Sequence, residues 1–193
     1  ETLSRLAGRQ GDLEDDIDSA LARQQASIPP ALPSEDTDSD EVAAPPVSAP
    51  APAGSTATLN ADGTATPPAD APPQVVAVIE AANSIEDKPY LWGGGHGGFE
   101  MDTGYDCSGA ISFALNAAGL IEAPLDSTGF TYWGEAGEGN WITVYGNSGH
   151  AYAVIAGLRW DTSGTGGSGV SWSTTTTSFQ PVSAFTARHP AGL

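Results

Sequence analysis

The chain has 193 residues, with six Lys and Arg against 24 Asp and Glu, a net charge of -18, a single Cys, 24 Gly and 15 Pro. So few cations, scattered along the chain, cannot neutralise a run of phosphates or grip an anionic lipid surface, which excludes nucleic-acid binding and electrostatic membrane attachment. One Cys excludes an internal disulfide and leaves a free thiol, and no apolar run is long enough to span a bilayer, so no membrane insertion is expected of this chain.

The residue types are unevenly distributed. All 15 aromatic residues, Tyr90 to Phe185, follow residue 89, whereas 11 of the 15 prolines precede residue 74. Residues 1–27 carry Leu3, Leu6, Leu13, Ile17 and Leu21 at spacings that put one apolar stripe on a short amphipathic helix or leader. The acids Asp12, Glu14, Asp15, Asp16 and Asp18 would stand at its start, where the helix dipole favours negative charge. Residues 28–73 are Ala, Pro, Ser, Thr and Asp with almost nothing to bury, so they are expected to form a disordered, acidic, Pro/Ala-rich linker. The start at Glu1 without a Met is read as a processed product or fragment, with any export signal upstream.

Residues 74–193 have the length of one ordinary domain. Gln74 to Ser84 reads as a helix behind Pro72 and Pro73, burying Val75, Val76, Val78 and Ile79. A Gly-rich loop, Trp92 to Gly98, leads to a second helix over Asp106 to Gly119, in which Ala110, Ile111, Ala114, Leu115 and Ala118 recur at three and four. Strands are expected at Trp141–Tyr145, His150–Ile155, Leu158–Thr162, Val170–Thr177 and Ala184–His189, with a two-residue turn at Ala156 and Gly157. Helices followed by antiparallel strands make an α+β fold.

Cys107 falls in the first turn of the second helix, with Asp106 as its N-cap. Unpaired N–H groups there favour thiolate over thiol, the form in which Cys is a nucleophile. A partner imidazole must come from His96, His150 or His189, and His150, opening a strand after the turn Gly146-Asn147-Ser148-Gly149, is the best placed. A two-residue hairpin turn sets Asp161 opposite Tyr152, within reach of orienting the His150 ring. Asp161 has two structural alternatives: pairing with Arg159, or capping the turn Thr162-Ser163-Gly164. His96 in Gly94-Gly95-His96-Gly97-Gly98 is read as a groove-lining substrate contact, with a second base or an exposed loop His as alternatives. No HxxxH or CxxC spacing supports a metal site, and no cofactor is expected.

The run Pro89-Tyr90-Leu91-Trp92-Gly93-Gly94, then Tyr105-Asp106-Cys107-Ser108-Gly109, then Ser148-Gly149-His150, resembles the NlpC-type family of papain-like cysteine peptidases. The resemblance covers roughly Val75 to Thr162 and implies a papain-like core with the nucleophile at a helix N-terminus packed on an antiparallel sheet. It further implies Cys107 as nucleophile and His150 as base, with the third catalytic position on or next to Asp161. Asp106 and Ser108 would seat the amino end of the substrate, and Tyr90 would lie beside the reacting carbonyl. The family's third residue is usually His, Asn or Gln, so an Asp is a departure. By this resemblance the chain is expected to be a secreted or cell-wall-associated, monomeric endopeptidase. It would cut peptidoglycan stem peptides between D-γ-glutamyl and a diamino acid. The rivals are an inactive wall-binding module of the same fold, and an amidase or acyltransferase acting on other amides.

Overall fold

The computed structural model describes residues 56–163, 169–174 and 181–193. The leader helix expected over residues 1–27, the linker as far as residue 55, and residues 175–177 of the strand expected from Val170 lie outside the described residues.

A short hairpin comes first, β1 (Thr58–Leu59) paired with β2 (Ala65–Thr66), and it falls inside the stretch that composition assigns to the linker. Helix α1 (Pro73–Ser84) follows, its first turn preset by the fixed φ of Pro73. Val75, Val78, Ile79 and Ala82 are buried at the i, i+3, i+4, i+7 spacing of one helix face. Val76 is only half-buried, because a turn of about 100° per residue carries it onto the flank. The hairpin is tied to this helix by polar bonds. Asn83 Nδ2 donates to the Ala65 carbonyl and Asn83 Oδ1 accepts from the Ala65 amide, both at 2.8 Å. The Ala57 amide donates to the Ala156 carbonyl at 2.8 Å, and Ala57 and Ala65 are buried. A reading that looks for large apolar residues passes over this hairpin, since what closes it is a distant amide side chain.

Helix α2 (Cys107–Ala117) begins at its N-cap Asp106 and ends on Gly119, whose φ of +68° only Gly adopts without strain. The Leu120 amide reaches the Leu115 carbonyl and the Gly119 amide that of Asn116, the paired closure of a Schellman stop. Ala110, Ile111, Ala114 and Leu115 of α2 are buried, and the helix packs on α1 and against the sheet.

The remaining strands are β3 (Glu135–Ala136), β4 (Ile142–Gly146), β5 (Ala151–Ile155), β6 (Leu158–Asp161), β7 (Ser171–Ser173) and β8 (Thr186–His189). Among the described residues they form one antiparallel sheet in the order β3-β8-β4-β5-β6-β7. The result is an α+β fold with a helix packed on an antiparallel sheet. Between β5 and β6, Ala156 and Gly157 have φ of +44° and +77°, the doubly left-handed geometry of a type I′ turn. Pairing of Ile155 with Leu158 and Ala153 with Trp160 carries Asp161 opposite Tyr152. Strand alternation then divides the sheet. Ile142, Val144, Ala153, Ile155 and Trp160 join the apolar core, while Tyr145, Tyr152, Arg159 and Asp161 share the other face. Among the described residues no helix is long and apolar enough to cross a membrane.

Candidate active site

The start of α2 is positioned by backbone packed on backbone. The Gly94 carbonyl accepts the Asp106 amide at 3.2 Å, and Tyr90 pairs with Tyr105 so that the Gly-rich loop runs beside the first helical turn. A Cβ on Gly109 would overlap the Gly94 carbonyl oxygen, and one on Gly95 would press on the Tyr105 ring and the Gly109 backbone. The glycines of both segments are therefore what lets the loop approach the helix. Asp106 caps the helix by accepting the Gly109 amide at 2.8 Å. Cys107, the next residue, is partly exposed and in no disulfide.

His150 stands just ahead of β5, where Asn147 Oδ1 accepts its amide at 2.9 Å and that of Gly149 at 2.9 Å. Its Nε2 lies 3.0 Å from Asp161 Oδ1 at the end of β6, and its ring also hydrogen-bonds the Cys107 side chain. With Nε2 committed to Asp161, Nδ1 is the nitrogen left for the sulfur. Burial pulls the ring toward the neutral form, but the hydrogen bonds and charges of Asp161 and Cys107 outweigh it and raise its pKa to about 9. The structure thus brings Cys107 and Asp161 to the same imidazole.

Asp161 is 3% exposed, and a carboxylate so buried requires compensation. Oδ1 accepts the Thr162 and Ser163 amides at 2.6 and 3.0 Å, while Oδ2 accepts Ser163 Oγ at 2.7 Å and pairs with the Arg159 guanidinium. Burial raises its pKa, but the bonds to His150 and Ser163 and the charge of His150 prevail, so the carboxyl titrates below its ordinary value. The sequence alternatives for Asp161 are therefore not exclusive: it pairs with Arg159, caps the turn and holds His150 at the same time.

On the other side of Cys107, His96 Nε2 lies 2.9 and 3.0 Å from the two Asp106 oxygens. Ser108 Oγ donates to Asp106 Oδ1 at 3.1 Å, and the Gly93 amide donates to Oδ2 at 3.2 Å. Asp106 is thereby filled by four donors. Cys107, His96, Ser108, Tyr90 and His150 share a cleft of about 280 Å³. Tyr90 has its hydroxyl pKa raised by burial and by the neighbouring Cys107 and Asp106 charges. Among the described residues no group of three or more His, Cys, Asp and Glu is arranged to hold a metal ion. His189 is remote in role, paired with Glu135 at 3.3 Å.

Three features of the site go beyond the roles read from sequence. Ser127 and Thr128 line the cleft, though nothing in their spacing marks them, and Ser148 of the Ser148-Gly149-His150 run lines it too. Trp92 is 86% exposed and lines the cleft, whereas Trp133 and Trp141, which flank a Gly-rich stretch and invite a groove reading, pack against the core. Ser163 bonds Asp161 and lies 3.3 Å from His150 Nε2. The available signal for the last was the pair Arg159 and Asp161, two charges at i, i+2 inside a strand otherwise made of Leu and Trp.

No family model matches the sequence, and no curated protein matches it. Solved structures are similar. A point variant of the Resuscitation Promoting Factor Interacting protein RipA aligns with a TM-score of 0.45 and 22% identity over 60% of this chain and 61% of that one. The hypothetical invasion protein Rv1477 of Mycobacterium tuberculosis aligns with a TM-score of 0.45 and 23% identity over the same shares of the two chains. The chain thus spans about three fifths of the length of these proteins.

Proposed function

We propose that residues 74–193, together with the hairpin ahead of them, form a cysteine endopeptidase that hydrolyses amide bonds in peptidoglycan stem peptides. The observation that carries the reading is the His150 ring, held by Asp161 on one nitrogen and bonded to Cys107 at a helix start on the other side. A ring with a pKa of about 9 is already protonated at neutral pH. The nucleophile is then the Cys107 sulfur, with the His150 ring as its proton donor and acceptor.

The sulfur attacks the amide carbon. The amides of Cys107 and Ser108, in the first helical turn where N–H groups have no partner within the helix, are the donors for the developing oxyanion. His150 gives its proton to the leaving nitrogen as the C–N bond breaks. Water then adds to the thioester, His150 takes its proton, and the acid and the thiolate separate. Tyr90, His96, Asp106 and Ser108 form the wall that seats the amino end of the peptide, Asp106 holding the His96 ring and the Ser108 hydroxyl in place. The stem-peptide class rests on the motif resemblance, and a secreted or wall-facing location follows from that substrate.

Incubation of the protein with muropeptides, followed by mass analysis of the fragments, tests the reading against Cys107→Ala. Cleavage between D-γ-glutamyl and the diamino acid by the parent alone is the expected result. Identical fragments from both proteins, or from neither, would overturn it.

A further inference from the structure

We propose that Arg159 is a positioning residue for this centre: its guanidinium, seated on the Tyr152 ring, shares the Asp161 carboxylate with His150 and so sets how strongly that carboxylate holds the imidazolium. The inference rests on the Cys107–His150 reading above. The function as proposed assigns Arg159 no part in the chemistry.

Arg159 is 5% exposed, and its carbon Cζ lies 4.4 Å from the centroid of the Tyr152 ring, a cation–π seat. Tyr152 in turn stacks on Tyr145 at 4.8 Å with ring planes 11° apart, and Tyr145 Oη donates to Glu138 at 2.7 Å. The cation is therefore fixed from below by two stacked rings, and its Nη2 engages Asp161 Oδ2 while His150 engages Oδ1. Arg159 also lies 3.4 Å from Ser163 Oγ, which bonds the same carboxylate. Among the described residues, the ionisable groups facing Asp161 are His150 ahead of β5, Tyr152 on β5 and Arg159 on β6. Cys107 lies beyond the imidazole, and Tyr145 on β4 with Glu138 lie beyond Tyr152. On β7 the residues facing Arg159 and Asp161 are Ser173 and Ser171, which do not titrate in the working range.

Two consequences follow from one carboxylate shared by two cations. The fixed charge of Arg159, engaged on Oδ2, favours the ionised form of Asp161. It also repels the imidazolium across the carboxylate, so that His150, though stabilised in its charged form, still gives up its proton to a leaving amine within the catalytic cycle. A merely structural Arg would hold the strand end in place and leave the His150 titration untouched.

The test is the titration midpoint of the His150 ring, followed by NMR of selectively labelled histidine in the full chain. The variants are Arg159→Met, Arg159→Gln and Arg159→Lys, each checked for a folded circular dichroism spectrum. Loss of the charge in Met and Gln is expected to raise the midpoint by about one pH unit, the lower end of what one nearby charge does. Lys is expected to restore it toward the parent value. Gln keeps a donor on Asp161, so it reports on charge even if Met fails to fold. A Gln midpoint that coincides with the parent or falls, or a Lys midpoint no nearer the parent than that of Gln, would overturn the inference. The peptidase reading is judged separately by muropeptide cleavage. An inactive parent whose midpoint still moves in the variants overturns the function alone, and an active parent with unmoved midpoints overturns the role of Arg159 alone.

Discussion

Removing the His150 charge is expected to change how stability depends on pH. The folded ring titrates at about 9 and the unfolded one near its ordinary 6.5. Between those values the folded chain binds more protons than the unfolded chain, so raising the pH withdraws stabilisation. The contribution is fully present below pH 6.5 and lost as pH passes 9. The difference between 6.5 and about 9 corresponds to about 3 kcal/mol at 1.36 kcal/mol for each pH unit. The ring is 20% exposed, and solvent screening reduces this to about 2 kcal/mol. His150→Gln cannot titrate, so the stability gap between it and the parent should close by about 2 kcal/mol from pH 6 to pH 10. Urea denaturation at pH 6, 7.5, 9 and 10 on both proteins gives that gap directly, with the titration of Tyr and Lys elsewhere cancelling. A gap constant within about 0.5 kcal/mol, or one that widens as pH rises, would refute the pairing of His150 with Asp161 and Cys107 as the source of its charge.

Two changes away from the titrating groups test how the site is supported. Gly109→Ala drives a methyl into the Gly94 carbonyl and should cost about 2 kcal/mol in urea denaturation, with faster amide exchange in residues 93–98; unchanged stability would show that the loop does not rest on the helix. Asn83→Ala removes both bonds to Ala65 and the one from Trp172 Nε1, about 1 kcal/mol each. A loss of about 3 kcal/mol, with the Ala65 amide exchanging early, is expected, and a loss under 1 kcal/mol would mean that residues 56–66 are held by something else.

What was legible in the chain were features carried by local chemistry. The Asp106 cap, the Gly119 stop and the apolar spacing of Ala110, Ile111, Ala114 and Leu115 are short-range signals, and they put Cys107 in the first turn of a helix. The turn at Ala156 and Gly157 is equally local, and through the two-residue period of the strands it fixed Asp161 opposite Tyr152 before any contact was known. The hairpin at residues 58–66 was not legible. It is held by Asn83 and by the Ala156 carbonyl, groups that composition alone weighs as ordinary helix and turn residues.

By itself the sequence determined on which elements the candidate site residues sit, because caps, turns and alternation act over a few positions. Only the tertiary structure decided how those residues share their partners. It filled Asp106 with four donors, placed His96 and His150 on different carboxylates, and buried Arg159 between the Tyr152 ring and Asp161. The reason is physical: a buried charge accepts whatever counter-charges the packed strands present, and that set is fixed by contacts between segments far apart in the chain.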